Sequence, residues 1–446
     1  MIYKIFLITL LVEAVVAFRN PKYAVGICLA NIVFFPASIK FNIGVNLNSF
    51  NLSVICVSIP FMVYALKRKC LFPTISKQIL FYVIYVAITS LFCALNSIAF
   101  SEYIQNMILL LMEYGLLAYV MCWSQMRKKE IMAFDIILVV VGMIVILYGF
   151  ANYVLKFNPY LAYISMVTDV SDDMSNAFME EQRGFLEGRV SSFFAHPLHL
   201  GQWVVMVFAY SFYELKKSVH PIIYYVFIVL LFVTAFLTGS RSSLFPLFLV
   251  LLIFVLHQNR KVLLKYFLGG IFLFAIAYPL LPETVQDYVE ATVLFWSDDA
   301  SSKADIEGSS TEMRFDQIET AISAIDDNPI FGKGFNYSSK HGDNLPLGLY
   351  GLESIFLSHT INGGLLGLLA FIFFYFKLYV LLRKRCRAAN DRAMVDSLCL
   401  SYFVSICLTG IVYSFFCVYL IFYIMTLYRV SYNNKMCRMC LMRALR

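Results

Sequence analysis

Charge is the scarcest commodity in this chain. Asp, Glu, Lys and Arg supply only 14% of 446 residues, against 61% hydrophobic residues, far below the roughly one-quarter charged share of a soluble domain. That balance excludes a soluble globular protein. None of the eleven cysteines falls within residues 155–197 or 281–352, the long polar stretches, so a disulfide framework is excluded there. No glycine-rich P-loop, HExxH or partnered GxSxG occurs, which removes the usual signatures of nucleotide, zinc and serine-hydrolase chemistry. No internal repeat appears either, which disfavours inverted-repeat transporters. A lone CxxC, Cys437 and Cys440, has no second pair to complete a zinc site. No metal and no cofactor is expected.

What the chain has in abundance is apolar runs. Segments of about 16 to 25 residues recur, near the length an α-helix needs to cross about 30 Å of hydrocarbon. They lie near 2–18, 22–39, 50–66, 78–98, 103–123, 131–154, 198–213, 221–238, 242–257, 262–280, 353–382, 394–410 and 412–428. Barrel strands would instead be short and alternating. The expectation is an all-α, polytopic integral membrane protein with about 12–13 transmembrane helices. No small-residue cleavage site follows the first segment, which reads as a retained helix. The division is then 1–154 N-terminal helices, 155–197 a first long outer loop, 198–280 central helices, 281–352 a large outer loop, and 353–446 C-terminal helices with a basic tail.

Lysine and arginine mark the cytoplasmic loops. "KRKCLFPTISK" (67–77), "SQMRKKE" (124–130), "ELKKS" (214–218), "HQNRKVLLK" (257–265), "RKRCRAANDR" (383–392) and the tail from Arg429 all read as inside. The long loops then face out, carrying six and thirteen acidic residues, nineteen of the chain's 28. The net charge of +7 is therefore a property of the cytoplasmic membrane face, and nucleic-acid binding is not implied. Against this acidic outer surface stand four arginines, Arg183, Arg189, Arg241 and Arg314. Each alone reads equally as the neutraliser of a neighbouring carboxylate. Together, with no comparable lysine cluster, they point to an anion site.

Arg241 interrupts two apolar runs in "LTGSRSSLF" (237–245). A guanidinium at mid-bilayer costs at least roughly 3 kcal/mol, so it belongs at the outer boundary, in the turn between two helices. The second loop predicts an amphipathic helix, with Ser309 and Glu312 at capping-box spacing and Phe315, Ile318, Ile322 and Ile325 as one apolar stripe. It would lie on the protein or on the membrane, with Arg314 near its first turn, where free N–H groups already favour phosphate. Arg314 paired with Glu312 or Asp316 is the alternative. His196 and His199 read as polar lining, and Gly363 with Gly367 as a GxxxG helix contact.

"GRVSSFFAHPLHLG" (188–201), "LTGSRSSLF", "EMRFDQIETAISAIDDNPIFGKGF" (312–335) and "ESIFLSHTINGGLLGLL" (353–369) together resemble the O-antigen polymerase/ligase family, the Wzy and WaaL type of bacterial envelope proteins. The resemblance spans roughly residues 188 to 370. It implies a multi-pass inner-membrane glycosyltransferase whose active site faces the periplasm. The implied donor is a polyprenyl-diphosphate-linked oligosaccharide, with no metal or cofactor, and the implied partners are membrane lipid, a chain-length regulator and other envelope polysaccharide assembly proteins. It carries Arg189, Arg241 and Arg314 over as diphosphate or glycan contacts, with Arg183 beside them. Where many members have a histidine at the start of the helix after the large loop, this chain has Glu353. A carboxylate can also accept a proton from an acceptor hydroxyl. His341 and His359 are the other candidates, His359 reading alternatively as a helix-packing residue.

The leading expectation is a polymerase, since that reaction needs two lipid-linked glycans and the chain has two arginine-bearing outer regions. A ligase that delivers glycan to a lipid A core shares these motifs. A transporter of lipid-linked glycans would need charged residues deep inside several helices. Glu13, Glu113 and Asp135 are the candidates, with no cationic partner evident in the sequence. A cell-wall polymerase of the shape-and-division type is a further alternative.

Overall fold

The computed structural model describes residues 1–42, 46–66, 69–97, 99–168, 182–183, 186–214, 219–257, 269, 276, 278–293, 311–340, 354–409 and 413–444. It is all-α apart from two short hairpins. The helices are α1 (Ile2–Arg19), α2 (Pro21–Phe34), α3 (Ser49–Leu66), α4 (Pro73–Ser97), α5 (Phe100–Tyr114), α6 (Leu116–Met121), α7 (Lys128–Leu155), α8 (Pro159–Val167), α9 (Pro197–Glu214), α10 (Pro221–Leu237), α11 (Arg241–Leu256), α12 (Glu283–Val293), α13 (Thr311–Ser323), α14 (Tyr337–Lys340), α15 (Ile355–Arg383), α16 (Ala389–Leu408) and α17 (Tyr413–Ala444). Hairpin β1–β2 (Lys40–Asn42, Asn46–Asn48) follows α2, and β3–β4 (Gln182–Arg183, Leu186–Glu187) precedes α9.

Local chemistry sets many of the helix starts. Proline opens α2, α4, α8, α9 and α10, where its missing N–H costs nothing and its fixed φ suits the first turn. The side chains of Asn20, Asn158 and Ser354 accept bonds from the backbone N–H groups of Lys22, Leu161 and Phe356, satisfying donors left over at a helix start.

Among the described residues, five helical stretches are long and apolar enough to cross a membrane: Ser49–Leu66, Pro73–Cys93, Lys128–Leu155, Ile355–Arg383 and Phe415–Asn434. α2, α10 and α11 are shorter apolar helices. The protein is an all-α, polytopic membrane protein. Helices occupy the other expected segments except 262–280, most of which falls outside the described residues. Segment 22–39 stops early, since Phe35 is extended and Pro36 restricts it to that region. Segment 103–123 is split into α5 and α6 at Gly115.

α17 forms the centre. Almost every described side chain from Phe415 to Val430 is buried, and it packs against α5, α6, α7, α9 and α16. Tyr402 and Tyr375 stack on Tyr419 with centroids 4.4 and 5.4 Å apart. α9, α11 and α16 form a tight group on one side, while α1, α2 and α3 form another that joins the rest through α7 and α6.

One expectation about depth is corrected. Asp135 does have a cationic partner: Arg429, assigned from sequence to a cytoplasmic tail, lies within α17 and pairs with it. Tyr210 completes the group, its hydroxyl donating to Asp135 at 3.1 Å and accepting from Arg429 Nε at 3.0 Å. The partner was hidden because it comes from 294 residues away. Glu13 is wholly buried but held by neutral donors, Asn31 Nδ2 at 2.6 Å and Ser53 Oγ at 2.7 Å.

Candidate functional site

The motifs around Arg189 and Arg241 meet at one turn. After α10, Thr238, Gly239 and Ser240 reverse the chain, with Gly239 at φ +60°. The strand-like segment after β4 docks on this turn: Val190 N–H donates to the Leu237 carbonyl at 3.0 Å, and Arg189 Nε donates to the Thr238 carbonyl at 3.1 Å. A Cβ at Gly239 would stand 3.3 Å from Arg189 Cγ, so glycine serves both the left-handed backbone and the close approach of the arginine. Arg189 is buried. Arg241 is the first residue of α11, half-buried, and its Nη1 donates to the Ala291 carbonyl of α12 at 3.0 Å.

Hydroxyls line the same turn. Thr238 Oγ1 lies 3.1 Å from Ser243 Oγ, Ser243 Oγ donates to the Ser240 carbonyl at 2.7 Å, and Ser240 and Ser242 Oγ are 2.7 Å apart. Ser240 precedes the first turn of α11 without capping it through its side chain. The start of a 16-residue helix thus presents backbone N–H groups beside an arginine, a combination suited to an anion. Gly201 of α9 lets that helix close on the turn, since a Cβ there would meet Ser243 Cβ at 2.9 Å. The hydroxyls were visible in "LTGSRSS" but not singled out; their shared turn is a tertiary fact.

The second assembly joins the segment after α13 to α15. α15 breaks at Gly364, with φ 61° and ψ −163°, a region open essentially to glycine alone. The segment 329–334 fills the break. Lys333 and Gly334 N–H groups donate to the carbonyls of Ile361 and Asn362 at 2.9 and 2.8 Å, and those of Leu365 and Leu366 donate to Pro329 and Ile330 at 3.0 and 3.2 Å. Farther along, Phe335 N–H donates to Ser90 Oγ, Asn106 donates to the Phe335 carbonyl, and the Asn362 side chain accepts from Ser338 N–H. The GxxxG expectation is therefore corrected. A Cβ at Gly363 would meet nothing within 4 Å and one at Gly367 only the carbonyl of His359 on its own helix, whereas Gly332 and Gly364 are in backbone contact.

His359 is buried in α15, its ring stacked on Phe371 at 4.0 Å and Nε2 3.4 Å from the Tyr114 hydroxyl. This is a packing environment. His196 precedes α9 and accepts the N–H of Leu198 on Nδ1 at 3.0 Å; its ring lies 5.5 Å from that of His199. The start of α17 separates these groups: Phe415 touches Phe194 and His199, while Phe416 touches Tyr114 and Phe371. Arg183 falls in β3 and Arg314 in the first turn of α13. Glu353, His341 and the capping Ser309 lie outside the described residues, as does Tyr350 of the same loop. In the turn after α13, a hydrogen bond from Lys333 and its charge hold Asp327 below the usual carboxylate range.

Comparison with known proteins finds no match among curated sequences. Residues 226–372 match the family model described as O-antigen ligase, about a third of the chain. The matched stretch runs from within α10 to beyond the break in α15 and takes in Arg241, Arg314, His341, Glu353 and His359, but not Arg183 or Arg189. Over that third of its length the chain is similar to the O-antigen ligase family, a resemblance in keeping with a membrane protein of surface polysaccharide assembly.

Proposed function

We propose that the protein is a polymerase of O-antigen or a related surface polysaccharide, working at the periplasmic face of the inner membrane. The observation that carries this reading is the meeting of Arg189 and the Arg241 helix start at one hydroxyl-lined turn. A polyprenyl diphosphate is the anion such a turn would hold at a bilayer boundary. Arg241 and the α11 N–H groups would contact it, with Arg189 beneath and Arg314 and Arg183 contributing from the two outer loops.

In the reaction, an acceptor hydroxyl oxygen attacks the anomeric carbon of the donor from the face opposite its phosphate. The carbon–oxygen bond to the diphosphate breaks, and the polyprenyl diphosphate leaves with the electron pair. Arginines stabilise the charge developing on it. The hydroxyl proton passes to Glu353, or to His341. The configuration inverts, and this chain needs no metal, cofactor or nucleotide sugar. A chain-length regulator and other assembly proteins are the expected partners. Tyr337 and Tyr350 would stack on sugars.

Polymerisation requires two lipid-linked glycans within reach of each other, and the docking of the Arg189 segment on the Arg241 turn puts two arginine-bearing regions side by side. The description of the matching family keeps the ligase reading in view. Deleting the gene and resolving surface glycans on a gel separates the two. A polymerase deletion leaves a single repeat unit on its usual acceptor. Loss of all surface attachment, with long chains accumulating on the lipid carrier, would identify a ligase.

A further inference from the structure

α13 has three faces rather than two. Gln317, Thr320, Ala321 and Ala324 are buried, and the two alanines cluster with Ile361, bringing the helix close against α15. One residue on along the helix, Phe315, Ile318 and Ile322 form a second stripe at positions i, i+3 and i+7. These three are 65%, 42% and 56% exposed. Asp316 and Glu319 form a third, exposed acidic stripe, about 100° round from the apolar one. The single stripe expected from sequence is thus divided: Ile325 turns inward and is buried, while Phe315, Ile318 and Ile322 turn out.

Beyond the turn that follows the helix, Ile330 and Phe331 are exposed as well. Ile330 and Pro329 are hydrogen-bonded to Leu366 and Leu365 of α15, where Leu365, Leu366 and Leu369 are exposed on a membrane-spanning helix. Exposed apolar residues are thus found on the span, at the joint by Gly364 and on α13, three elements held together by these bonds and by the packing of α13 on α15. Large contiguous apolar patches are uncommon on surfaces that face water.

We propose that α13 is seated in the outer interfacial layer of the bilayer, with Phe315, Ile318 and Ile322 in the acyl boundary, Asp316 and Glu319 toward water, and the alanine face on α15. The occupant of the apolar stripe is lipid, by continuity with the lipid-facing side of α15. The amphipathic division matches that of an interfacial helix, with the protein taking the third side. The outer loop is thereby anchored at the depth of lipid phosphates. This inference concerns where α13 lies and does not depend on the polymerase reading.

The test places a nitroxide at single positions of the full chain in liposomes, through a genetically encoded keto amino acid that leaves the eleven cysteines unlabelled. At 318 and 322, collisions with oxygen should exceed those with a water-soluble nickel complex, and at 319 the order should reverse. Access of the nickel complex to 318 and 322 equal to that at 319 would overturn the proposal. Exclusion of both reagents from 318 and 322 would also overturn it and would assign the stripe to a second copy of the chain. As a second readout, Ile322→Trp should add emission that lipids brominated on their acyl chains quench; unquenched emission contradicts bilayer seating.

Discussion

Two neighbouring glycines should respond to the same substitution with opposite signs. Gly364→Ala places a Cβ 2.5 Å from the backbone carbon and oxygen of Ile330 and 2.7 Å from Gly332 N, all atoms that cannot step aside as a side chain would. Its backbone, at φ 61° and ψ −163°, costs a further 1 to 3 kcal/mol or so for any L side chain. Relief of the clash would pull 329–334 away from four backbone hydrogen bonds, each worth about 1 kcal/mol net. The expected loss is on the order of 4 kcal/mol or more. Gly363→Ala meets open space and gains up to about 1 kcal/mol of helix propensity. The assay is thermal unfolding of the purified variants in one detergent, alongside in vivo polymer formation. Gly364→Ala should unfold well below the parent and Gly363→Ala at or slightly above it. Equal midpoints would refute the interlocked joint and restore a simple helix contact through Gly363.

Arg241→Ala should abolish polymer while the protein remains in the membrane, and Lys should rescue poorly because it lacks the planar fork; full activity of the Ala variant removes Arg241 from the site. Glu353→Gln should slow turnover by about a hundredfold or more with donor binding kept, whereas a normal Gln variant with an inactive His341→Ala assigns the base to the histidine. Breaking the buried pair with Arg429→Leu should cost roughly 3 to 5 kcal/mol, while the double variant Asp135→Leu/Arg429→Leu should recover most of it; additive losses in unfolding experiments would contradict a paired lock. Because Asp327 is held below its ordinary range, its bond to Lys333 stabilises the turn at neutral pH and loses that effect as pH falls through the depressed value. Lys333→Ala should remove a small acid-side dependence of stability and leave the neutral-to-alkaline range flat.

The helices were legible because apolar length is written locally in the chain. So was the special position of Arg241, since one charge between two apolar runs has few places to go. Tertiary bonds were not legible. Gly363 and Gly367 have the spacing of a contact motif, yet the contact belongs to Gly364, chosen by a φ that spacing does not encode. Arg429 read as one more basic tail residue because its partner, Asp135, lies most of the chain away. Phe315, Ile318, Ile322 and Ile325 have one period in sequence, but packing on α15 buried the face that carries Gln317, Thr320 and Ala321, took in Ile325 past the helix end and left the other three outside. Arg189 belongs in sequence to a separate loop, and it takes the tertiary bonds from Val190 to Leu237 and from Arg189 to Thr238 to unite it with Arg241.

The central claim is that the turn between α10 and α11 holds the diphosphate of the donor. A structure of the protein with a bound polyprenyl diphosphate tests it most directly. Phosphate oxygens should lie within hydrogen-bond reach, about 3 Å, of the Arg241 guanidinium and the first N–H groups of α11. A lipid bound with its phosphates against other cations, and this turn untouched, would contradict the account.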